Sequence, residues 1–96
     1  MASIDLKKGS YNRLWVVLAT LAYKEGNATT LKELSELSGL PRSSTEDILN
    51  KVLDGQIPGM LLKRHSATFT VIEWGTLLNK KQLLAFYKTH LKDKYE

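Results

Sequence analysis

The chain has 96 residues, with 14 Lys or Arg against 10 Asp or Glu and a formal charge of +4. That length suits one domain with one modest core, and leaves no room for a barrel or a dinucleotide-binding sheet with a substrate domain. Apolar residues at 43% and charged residues at 25% argue against a disordered or fibrous chain. Cysteine is absent, which excludes disulfide scaffolds and thiolate metal sites and fits a reducing compartment.

Residues 1–9 are expected to form a flexible lead into a single domain over 1–96. The strongest apolar run is Leu14 to Tyr23, preceded by Lys7, Lys8 and Arg13. Ten residues fall short of the ~20 that a spanning helix needs, and no Ala-x-Ala-type site follows promptly. The expectation is therefore a buried first helix from about Ser10 to Glu25, stopped by a left-handed Gly26-Asn27, with no membrane contact. Its apolar residues run nearly all the way round, which predicts cover on more than one side and hints at a partner subunit.

A second helix starts at Thr30, whose hydroxyl and the Glu33 carboxylate have the spacing of a reciprocal capping box. Leu31, Leu34 and Leu37 follow at helical spacing, and Gly39 is free to take the positive φ of a tight turn. A third helix begins around Pro41, with Thr45, Ile48, Leu49 and Val52 inward and Arg42, Ser43, Glu46, Asp47, Asn50 and Lys51 elsewhere. After Asp54-Gly55, the segments Met60–Arg64 and Thr68–Trp74 read as two strands joined by a His65-Ser66-Ala67 loop. A last helix runs from Thr76 or Asn79 to Lys92, with Asn79 and Gln82 as a second capping box and Leu84, Tyr87 and Leu91 on one face.

This order predicts a mainly α fold with a small β-hairpin, a winged helix-turn-helix: residues 30–54 the helix-turn-helix, 60–74 the wing, 76–92 the C-terminal helix. Two helices locked by Leu31, Leu34, Leu40 and Ile48 leave the second free to enter a major groove about 12 Å wide. The charge pattern agrees. Over residues 1–56 seven bases and seven acids cancel, so the whole excess lies in residues 57–96. Lys63, Arg64 and His65 near the hairpin tip supply charge and donors for phosphate.

Thr30 through Thr45, with its Gly39-Leu40-Pro41-Arg42-Ser43 turn, resembles the helix-turn-helix of IclR-type bacterial regulators. The resemblance implies binding of double-stranded DNA, with Arg42, Ser43 and Ser44 at the groove and the hairpin on the backbone. The candidate DNA-binding set is thus Thr30, Arg42, Ser43, Ser44, Asn50, Lys51, Lys63, Arg64 and His65. A cytoplasmic, nucleoid-associated regulator of bacterial, phage or plasmid type is the expectation. Two features depart from the IclR pattern. A large effector domain has no counterpart here, and Glu46-Asp47 stands where polar donors are common, which shifts weight toward the wing.

A homodimer is expected through Leu14, Trp15, Leu18, Leu84, Tyr87 and Leu91, because the first and last helices carry more apolar surface than one small core hides. The same helices and the Glu46-Asp47 pair favour the rival reading, a winged-helix module that docks on a protein partner. Lys80, Lys81, Lys88 and Lys92 suit either a solvated face or phosphate contact. Trp15, Phe69, Trp74, Phe86 and Tyr87 are expected in core or dimer contacts rather than as base-stacking platforms. His65 and His90 lie far apart without Cys or paired carboxylates, and no nucleophile has an evident base. Metal, cofactor and catalysis are therefore not expected.

Overall fold

The computed structural model describes residues 11–75 and 79–90. The flexible lead expected over 1–9, the end of the last helix and Leu91 lie outside them. The elements run α1 (Tyr11–Tyr23), β1 (Thr29–Thr30), α2 (Leu31–Ser38), α3 (Arg42–Leu53), β2 (Leu61–His65), β3 (Thr68–Glu73) and α4 (Lys80–His90). This is a winged-helix topology, mainly helical with a small antiparallel sheet in the order β1-β3-β2. Among the described residues no helix is long and apolar enough to cross a membrane.

The two-sided apolar character of α1 is explained inside one chain. One side, Val17, Leu18 and Leu21, joins Leu34, Ile48, Leu49, Val52 and Phe69 in the main core. The other side, Val16 and Ala19, packs on Tyr87 of α4, with Phe86 at the margin. Thr20 is fully buried between them, and its hydroxyl donates to the Val16 carbonyl at 2.8 Å, so no polar group is stranded.

The packing places the residues expected at a dimer face as follows. Leu18 and Tyr87 are buried within the chain, Leu14 and Leu84 are half-buried, and Trp15 is exposed. Among the described members of that set, Leu18 belongs to the main core, with Leu14 packed against it, and Tyr87 packs on Val16 and Ala19.

Chain stops differ from expectation in one instructive place. At the end of α1, the Gly26 N–H donates to the Leu21 carbonyl at 3.0 Å and the Glu25 N–H to Ala22 at 2.9 Å, a Schellman pattern. The left-handed position is therefore Glu25, at φ 58°, one residue before the predicted stop. Gly26, also at positive φ, serves the approach of β3: a Cβ there would sit 3.2 Å from the Val71 Cβ, and its carbonyl accepts from Val71 N–H at 3.0 Å.

The wing is larger than a hairpin. Thr29 and Thr30 pair with Phe69 and Thr68, adding a third strand that two-residue β1 gave no periodicity to announce. His65 extends β2, leaving Ser66-Ala67 as the turn, with Ser66 at φ 57°. Leu61 faces Glu73 and Leu62 faces Val71, so Ile72 is left as a bulge residue on β3. At the wing's root a Cβ on Gly75, at φ 81°, would lie 2.8 Å from the Gly59 carbonyl carbon and 2.9 Å from Met60 N and Pro58 O. Backbone thus meets backbone there.

Candidate nucleic-acid interface

The turn between α2 and α3 is built by small hydroxyls around one glycine. Gly39 takes φ 77° and its N–H donates to the Ser35 carbonyl. The Ser35 hydroxyl donates to the Leu40 carbonyl at 2.7 Å, and buried Ser38 donates to Ser35 O at 3.2 Å. These bonds, with Leu34, Leu40, Ile48 and Leu49 buried beneath, fix α3 against α2 and leave its outer face in solvent.

Thr30 acts as the N-cap of α2, its hydroxyl accepting from the Glu33 N–H at 3.1 Å. The Glu33 carboxylate pairs instead with Lys24 at 3.1 Å, so the capping box is half made. At α4, Asn79 caps through Oδ1, accepting from Lys81 N at 2.9 Å and Gln82 N at 3.3 Å.

Helix α3 opens differently. Its N-cap is Pro41, which supplies no side-chain cap. Proline has no N–H, and the N–H groups of Arg42, Ser43 and Ser44 belong to the first turn, where helices hold donors and positive potential for an anion. Arg42 and Ser43 are exposed there. The Ser44 hydroxyl is engaged, accepting from Arg13 of α1 at 2.8 Å. Arg13 thereby joins this end of the molecule. Sequence reasoning missed it because a lone cation at a helix start carries no distinguishing pattern. Asn50 and Lys51 are exposed about 12 Å further along α3.

The three wing residues do not act as a set. Arg64 pairs in the sheet with buried Phe69 and its guanidinium lies 5.2 Å over that ring. It also donates to Glu46 of α3 at 3.2 Å and through Nε to the Ser66 carbonyl at 3.2 Å. Lys63 and His65, one residue either side, point to the opposite face of the ribbon and are exposed. The sequence placed Glu46 as an obstacle to phosphate; here it is neutralised by the wing. Asp47 remains exposed on the outer stripe of α3.

No family model, curated protein or solved structure matches the chain. The winged-helix topology therefore stands on its own geometry.

Proposed function

We propose that this chain is a small double-stranded-DNA-binding module of the kind used by bacterial or phage regulators. The observation that carries the proposal is a juxtaposition. The exposed first turn of α3, with Arg42 and Ser43, lies one helical turn from Glu46, where Arg64 fastens the wing. Arg42 and the free first-turn N–H groups suit a groove edge and its flanking phosphate. Lys63 and His65 suit the adjoining backbone. The IclR-like turn at Gly39-Leu40-Pro41-Arg42-Ser43 supports the same reading.

Binding to random duplex DNA across a salt series tests it. The affinity should fall linearly on a log–log plot, and Lys63→Ala should make the slope shallower by about 0.9, as the loss of one phosphate contact does. Arg42→Ala should cut specific binding more than random binding. A wild-type chain with no salt-dependent affinity for duplex DNA overturns the reading.

A second reading, docking on a protein, has its own observation. Leu61 and Ile72 on the wing are 58% and 57% exposed, side by side near the bulge. That reading gains if duplex binding is absent and Leu61→Ser abolishes an association of the intact protein.

A further inference from the structure

A second basic surface lies at the other end of α1. An open cleft of about 400 Å³ runs between the end of α1 and α4, lined by Tyr23, Glu25, Lys80, Lys81, Leu84 and Lys88. Lys80, Leu84 and Lys88 follow at four-residue steps and share one face of α4, with Lys81 beside them. The floor is apolar and firm. The Tyr23 ring is stacked on Tyr87 at 4.2 Å and 17°, yet remains 41% exposed. None of the three lysines has an ion-pair partner among the described residues.

We propose that this cleft docks an acidic amphipathic helix of a partner protein. One large apolar side chain of that helix would rest on Tyr23 and Leu84, with carboxylates against Lys80 or Lys81 at one end and Lys88 at the other. The lysines span about 12 Å along α4, which matches carboxylates two helical turns apart and exceeds the reach of one compact anion. A duplex backbone fits less well. It offers no apolar group to the floor. The cleft is also about 15 Å along α1 from the Arg13–Ser44 contact, so a partner here leaves α3 and the wing free. The inference is independent of the DNA reading.

Fluorescence anisotropy on the full chain tests it, with a labelled synthetic helix that carries Glu residues two turns apart and one Leu between them. Saturable binding is expected, weakened at least tenfold by Lys81→Glu with Lys88→Glu and by Leu→Ser in the probe. Tyr23→Ser should weaken it similarly. Because Tyr23 also braces Tyr87, its melting curve is followed, and the lysine pair decides the matter if that variant melts early. Three results overturn the proposal: no saturation with the acidic probe, equal binding of a polyglutamate of the same charge, or displacement of the probe by random duplex DNA. The last would make the cleft a phosphate surface. Loss of duplex binding with peptide binding intact would count against the DNA reading alone.

Discussion

The two ends of α1 hold the molecule together by different means. At its start, side chains from separate elements are tied by polar contacts, Arg13 to Ser44 in a half-buried hydrogen bond and, nearby, Arg64 to Glu46 in an exposed ion pair. Toward its end, cohesion comes from aromatic and aliphatic packing, Tyr23 on Tyr87 and Val16 with Ala19 beneath α4, and the lysines above have no ion-pair partner among the described residues. Exposed ion pairs contribute ~0–1 kcal/mol, so Arg64 and Glu46 can trade their tie for a partner's groups at little cost to the fold. The second end can lend its charges without breaking anything. On the proposed readings, binding at the first is an exchange of contacts, and at the second an addition.

The largest effect expected is at the residue that serves both sheet and core. Phe69→Ala should destabilise by about 3–5 kcal/mol in denaturant unfolding, and remove Arg64's ring contact as well. A loss below 1 kcal/mol would show that the wing is not part of the core. Gly75→Ala should follow, at about 1–3 kcal/mol, since its backbone is left-handed and its Cβ would press on three backbone atoms that cannot rotate away. Glu25→Gly should go the other way. Relief of a left-handed non-glycine residue is expected to raise stability by about 1 kcal/mol, seen as a higher melting temperature. An unchanged melting temperature would place the α1 stop elsewhere.

The smallest stability change sharpens the comparison most. Glu46→Gln should alter stability by less than about 0.5 kcal/mol, because both partners are 40% exposed. On the exchange view it frees Arg64, so random-duplex affinity should rise a few-fold and the salt slope steepen by about one unit. A large loss of stability, with no change in slope, would make the pair a structural strut.

Much of the fold was legible because its signals are local. The Thr30 cap, Gly39 before Pro41, and the Thr45-Ile48-Leu49-Val52 face each depend on residues within a turn or two, and the structure places them as read, though the Glu33 carboxylate leaves the cap for Lys24. What escaped depends on contacts distant in sequence. Strand β1 exists because β3 offers an open edge to two threonines, and no periodicity survives in two residues. Arg64 was separable from Lys63 and His65 by strand alternation, yet its partner Glu46 lies 18 residues away and no pattern links them. The surplus apolar surface of α1 and α4 was real; seeing that Val16 and Ala19 spend part of it on Tyr87 needed the third dimension.

The wing's fastenings have a thermodynamic consequence. Its tip is held where Leu31 N–H donates to the Ala67 carbonyl and β1 pairs with β3, its flank by Arg64 on Glu46, and its root by Gly75 against the 58–60 turn. Side chains and loops that must be ordered on association lose roughly 0.5–1.5 kcal/mol each in rotamer freedom. Here the backbone of the ribbon has already surrendered its own conformational freedom on folding. A partner meeting the wing therefore encounters a surface whose entropy loss lies behind it, and the heat and heat capacity of association should report desolvation and counterion release with little contribution from loop ordering.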